Sequence, residues 1–216
     1  MLTAKENTTN IPPLATGLYY GVCSQIIDMG EQENKQFGGW SRKVRIVWDI
    51  PSEVVKIGDD EQVRRIAKEY TNSLSDKSNL RKMLQAWRGR PFSAEELKGF
   101  DLTKVLGVGA QLQIIHKPSK TTGEVYANIE TVIPLPKGTK MPAALTTVFD
   151  LDDPGTYSVF NTLPRSVQMR ISNATGFDDT GLIVSPKEGA ASMGRPHTSA
   201  TEFTVIEDGE CEDLPF

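Results

Sequence analysis

The chain has 216 residues, 38% of them hydrophobic, with 18 Gly and 13 Pro, which suits one packed domain with loops and tails. No stretch approaches the ~18 consecutive apolar residues of a membrane span, and the start lacks a basic segment followed by an apolar run, so neither a span nor a secretory leader is expected. The net charge of -4 hides a polarity: residues 35–140 carry 19 Lys and Arg against 12 acids, and residues 141–216 carry four against 12. A basic body joined to an acidic tail points to a polyanionic ligand.

Residues 1–15 are polar, include Pro12-Pro13, and read as a flexible arm. GLYYGVCSQIIDMG, from Gly17, reads as a first strand, and EQENKQFGG as a mobile loop. WSRKVRIVWDI is the clearest strand. Val44, Ile46, Trp48 and Ile50 alternate on one face, and Lys43, Arg45, Val47 and Asp49 on the other, so two adjacent cations are expected opposite the buried face. Pro51 and Gly58-Asp59-Asp60 are expected to end that strand. QVRRIAKEYTNSL fits a third strand, with Arg64, Ile66, Lys68 and Tyr70 of one parity, although a helix competes.

SNLRKMLQAWRGR reads as a helix, with Leu80, Met83, Leu84 and Trp87 at helical spacing, Ser78 as its cap and Gly89 at its end. Ser93 with Glu96 predicts a capping box for a second short helix, and DLTKVLG is a third short apolar segment. AQLQIIHKPS and EVYANIETVIPL read as two further strands joined by SKTTG. Residues 134–160 read as an extended wrap, and LPRSVQMRIS as a helix entered through Pro164. The domain is therefore expected over 16–172, followed by a Gly/Ser/Pro-rich linker at 173–206.

Three strands, a helical insertion and two strands is the order of the OB-fold, a five-stranded Greek-key barrel with helices between strands 3 and 4. The expected class is thus mainly β with a helical insertion, plus a disordered acidic C-terminal tail. A single strand of nucleic acid is bound by cations along its phosphates and by rings beneath its bases. The candidates by that chemistry are Lys35, Phe37, Trp40, Lys43, Arg45, Arg64, Lys68, Tyr70, Lys117, Lys120 and Tyr126. Trp48 and Trp87 share parity with aliphatic neighbours and are assigned to the core.

Enzyme motifs are poor. His116 and His197 are far apart in sequence and have no ligand-spaced partners, so no zinc site follows. Gly107-Val108-Gly109 is not a dinucleotide loop, and Asp150, Asp152 and Asp153 lack calcium-loop spacing. Neither catalysis nor a cofactor is expected. Cys23 and Cys211 form no disulfide framework, and a reducing cytoplasm fits them.

Residues 207–216, EDGECEDLPF, hold five acids and end on an apolar Leu-Pro-Phe. This resembles the tip of single-stranded DNA-binding proteins from bacteria and phages. The run YTNSLSDKSNLRKMLQAWRGRPFSAEELKGFDLTKVLGVGAQLQIIHK, continuing through GEVYANIETVIPLPKG, also resembles phage-encoded single-stranded DNA-binding proteins of the OB-fold type. The likeness covers roughly residues 17 to 140 plus the tip. It implies protection of replication or recombination intermediates in a host cytoplasm, and recruitment of replication or recombination proteins through Asp213, Leu214, Pro215 and Phe216. A homo-oligomer is compatible with it. The alternatives are a strand-annealing or recombination-mediator protein, and an OB-fold protein-interaction module without nucleic acid.

Overall fold

A computed structural model describes residues 11–33, 38–57, 60–119 and 123–174. Its elements are β1 (Gly17–Glu33), β2 (Trp40–Ile57), β3 (Asp60–Thr71), α1 (Asn79–Arg88), α2 (Ala94–Lys98), β4 (Gly109–Pro118), β5 (Val125–Ile133), β6 (Thr147–Phe149) and α3 (Arg165–Ser172). Short 3-10 helices cover Leu102–Val105 and Pro154–Thr162. The strands run in the order β3-β2-β1-β4-β5, with β6 paired to β1.

β1 organises this sheet. Its first part, Gly17 to Val22, pairs antiparallel with β4, and its second, Val22 to Glu33, pairs antiparallel with β2. Irregularities at Cys23/Gln25 and Asp28/Gly30 change the register along the second part, and such bulges increase bend and twist. Gly21 lies in a close approach between β1 and its neighbours, where a Cβ would meet Leu112 Cδ1 at 2.9 Å and the Asp49 carbonyl oxygen at 3.3 Å. The result is a mainly-β protein whose antiparallel sheet curls into a half-barrel, consistent with an OB-like barrel.

The concave side holds the main core. Ile46, Trp48, Ile50, Leu112, Ile114 and Ile129 line it, and α1 closes it with Leu80, Leu84 and Trp87. The Trp48 and Trp87 rings lie 5.8 Å apart, as their parity with aliphatic neighbours predicted. Gly89 ends α1 at φ 66, a left-handed conformation that costs little without a Cβ. The Ser93–Glu96 capping box forms as expected. Ser78 occupies the N-cap position of α1, but its hydroxyl donates to the Ser73 carbonyl and makes no cap bond.

A second core lies on the convex side. Ile27, Met29 and Val47 pack there against Phe149, Phe160, Leu163, Val167 and Ile171. The wrap is therefore a strap of β6, a 3-10 helix and α3 laid over β1, β2 and β3. β6 joins β1 in parallel, Gln25 opposite Thr147 and Ile27 opposite Phe149. Both faces of β1 are thus covered, and residues 21–30 are almost continuously buried.

Some expectations are met and others change. Residues 60–71 form a strand, so the competing helix is excluded. β2 continues through Pro51 to Ile57, and its register against β3 shifts between Ile50 and Val54, where the proline is accommodated. The arm is tied down from Pro12 onward: Leu14 is 2% exposed in the main core, the Pro12 carbonyl accepts from Arg64, and the Leu14 carbonyl accepts from His116 Nε2 at 2.7 Å. The fold continues past 172 to Ala174, which is itself buried. No helix among the described residues is long and apolar enough to cross a membrane.

Candidate nucleic-acid interface

Lys35, Phe37, Lys120 and the tip residues Asp213, Leu214, Pro215 and Phe216 lie outside the described residues. The other candidates are a mostly buried set, a set at the open seam of the half-barrel, and two rings outside the groove.

The convex-face cations are not the open pair that strand parity suggested. Arg45 keeps only 11% of its side-chain exposure, because the strap covers it. Its Nη1 donates to Glu69 Oε1 at 3.1 Å, and Arg170 of α3 donates to the same oxygen at 2.7 Å. Burial pulls the Arg45 guanidinium below its ordinary pKa, and the Glu69 carboxylate opposes that shift. Lys43 is half-buried and donates to Thr71 Oγ1 at 2.9 Å. Arg64 is buried beneath the arm, and burial lowers its pKa also. Tyr70 is 5% exposed and belongs to the main core, so its ring presents no open face to a base.

The acidic turn is also absorbed by structure. Arg42 Nη2 lies 2.7 Å from Asp152 Oδ2 and 3.6 Å from Asp150 Oδ1, and it pairs with the buried Asp28. Hydrogen bonding to Asp28 is the main cause that raises the Arg42 pKa. This cluster fastens the start of the strap to β1 and β2. No group of metal-ligating side chains occurs among the described residues. Cys23 is fully buried, and burial pushes its thiol up to about 12, which keeps it neutral.

The seam is different. β3 and β5 are the ends of the sheet path, and α1 lies beside them. Between the three runs an open groove of about 280 Å³. Lys68 reaches it from β3, Lys82 and Asn79 from α1, and Lys117 from β4, with Glu130 of β5 as the one acid in the lining. Lys68 Nζ donates to the Ile129 carbonyl at 2.8 Å and sits 5.6 Å from the Tyr70 ring centroid. Tyr70 therefore acts as a floor beneath a cation. Lys117 Nζ lies 3.1 Å from Glu130 Oε2. Three lysines against one carboxylate make the groove electropositive, suited to anionic oxygens.

The sequence candidates thus converge in part: Lys68, Tyr70 and Lys117 meet here from two strands. Asn79, Lys82 and Glu130 were not singled out by sequence. The signal for the first two was present, because positions 79, 82 and 86 flank the apolar stripe 80, 83, 84 and 87 of α1. Of the candidate rings among the described residues, two remain accessible outside the groove. Trp40 is 55% exposed at the start of β2. Tyr126, the cross-strand partner of Lys117, is half-buried, and its hydroxyl donates to Glu124 at 2.7 Å. In comparison with known proteins, the chain matches no family model and no curated protein sequence.

Proposed function

We propose that this chain is a non-enzymatic, sequence-nonspecific single-stranded DNA-binding protein built on an OB-type barrel, of the kind that phages encode. The observation that carries the reading is the convergence of Lys68, Lys82 and Lys117, from three separate elements, on one groove at the β3/β5 seam. The sheet order, with a long bent β1 shared between two halves, supports the barrel assignment. The groove supplies charge for the phosphates. Trp40 and Tyr126 are the rings that bases can stack on, each such contact contributing ~1–3 kcal/mol. Arg45, Arg64 and Tyr70 belong to the architecture that holds this surface. The acidic tip competes for the groove when DNA is absent and engages replication or recombination proteins when DNA fills it.

The test is fluorescence anisotropy on single- and double-stranded oligonucleotides at about 50 and about 200 mM salt. Preference for the single strand and a steep loss of affinity with salt are expected. Lys82→Glu with Lys117→Glu should weaken binding by about tenfold or more at low salt without unfolding the protein, since both side chains lie at the groove. Equal affinity for duplex and single strand, or wild-type binding by that folded double variant, would overturn the reading.

A further inference from the structure

The groove carries its own anion. Between Gln113 and Ile114 of β4 the register shifts: Gln113 pairs with Thr131, and Ile114 pairs with Ile129. Glu130 is therefore the extra residue of a β-bulge, the device by which a strand re-aims a side chain out of strict alternation. Both groups displayed at this bulge point at groove cations. The Ile129 carbonyl takes Lys68 at 2.8 Å, and the Glu130 carboxylate takes Lys117 at 3.1 Å.

The second contact is exchangeable. Lys117 and Glu130 are 37% and 46% exposed, so water and salt screen both charges and their separation costs little. A phosphodiester oxygen offers Lys117 the same charge and the same hydrogen-bond acceptor as the carboxylate does. We infer that Glu130 is a placeholder: it holds Lys117 in the empty groove and is exchanged for a phosphodiester of the bound strand. This rests on reading the groove as a single-strand site.

The exchange has a signature in salt. The strand sheds a condensed cation when Lys117 neutralises one of its phosphates, but the freed Glu130 carboxylate attracts a cation in turn, so the net release at this position falls towards zero. The wild-type groove therefore shows a shallower salt dependence than its lysine count implies. Removing the carboxylate charge restores the missing term, about 0.7 in the logarithmic slope for a single strand.

The experiment uses the full chain, a fluorescein-labelled oligothymidylate of about 20 nucleotides, and a salt series. Glu130→Gln should tighten binding about three- to tenfold at low salt and steepen the slope by about 0.7. Lys117→Gln should weaken binding, and Lys117→Gln in the Glu130→Gln background should cancel the gain. Thermal melting of Glu130→Gln should match wild type. If Glu130→Gln binds within twofold of wild type with the same slope, the carboxylate is not a placeholder. If it binds more weakly, Glu130 positions Lys117 for the ligand and does not compete with it, which overturns the inference equally. A wild-type chain that binds no oligonucleotide at low salt would instead defeat the single-strand reading itself.

Discussion

Glu69 and Glu130 stand on the two strands that flank the seam; Glu69 holds two basic side chains and Glu130 holds Lys117. Their surroundings are opposite. Glu69 is 3% exposed and clamped between Arg45 and Arg170 beneath the strap, whereas Glu130 is 46% exposed beside Lys117 at the groove. The same chemistry therefore does two jobs. Under the strap the charges have lost their water, so each needs the other and the cluster fixes the architecture. At the groove water and salt screen both charges, so parting the pair costs little.

The largest effect should come from removing the buried acid. Glu69→Ala leaves the Arg45 guanidinium nearly buried without its carboxylate, a change that costs roughly 3–5 kcal/mol, read from urea unfolding. Glu130→Ala should cost less than about 1 kcal/mol in the same assay. Equal costs would break the comparison. Arg170→Ala sharpens it: Arg170 is 31% exposed, so water can partly replace it, and the loss should fall between the two.

Removing residues 207–216 takes away five acids and should tighten oligonucleotide binding severalfold at low salt and less at high salt. Weaker binding on truncation would mean that the acids support the barrel. Phe216→Ala keeps every charge. Oligonucleotide affinity should stay at the wild-type value, while capture of replication proteins in pull-downs should fall.

The smallest effect concerns α2. The Ser93 backbone N–H, with help from Arg90 and Arg88, lowers the Glu96 pKa from 4.5 to about 2. A depressed carboxylate pKa means stability that is fully present above 4.5 and is lost as pH falls toward 2. Glu96→Gln should flatten that part of an acid titration. An unchanged acid limb would show that the capping box does not depend on the charge.

The chain-order succession of the first five strands, α1 and the α2 capping box were legible because each is written in short-range spacing, whereas β6 was read only as part of an extended wrap. Val44, Ile46, Trp48 and Ile50 alternate, and Leu80, Met83, Leu84 and Trp87 repeat within one helix. The fate of Arg45 was not legible. Its acid is on β3, 24 residues away, and its cover comes from Arg170 on α3. The only local hints were Val47 on the face assigned to cations, and apolar residues on both parities of β1, Ile26 on one and Ile27 and Met29 on the other. Lys68 and Lys117 could be listed as cations, but their meeting depends on how far the sheet curls and where the β5 bulge falls. Neither is encoded in a window of ten residues.

The pairing of β6 with β1 has a consequence in time. Gln25 meets Thr147 in parallel, across more than a hundred residues of intervening chain. Closing so long a segment is entropically slow, and it gains little until the convex face of β1–β3 exists to receive Phe149, Phe160 and Ile171. The half-barrel should therefore assemble first and the strap should dock last, outside the rate-limiting step of folding. On that order Phe160→Ala would accelerate unfolding in stopped-flow experiments and leave the folding limb nearly unchanged, whereas Trp48→Phe in the main core would slow folding. A slowed folding limb in Phe160→Ala would place strap docking inside the nucleus.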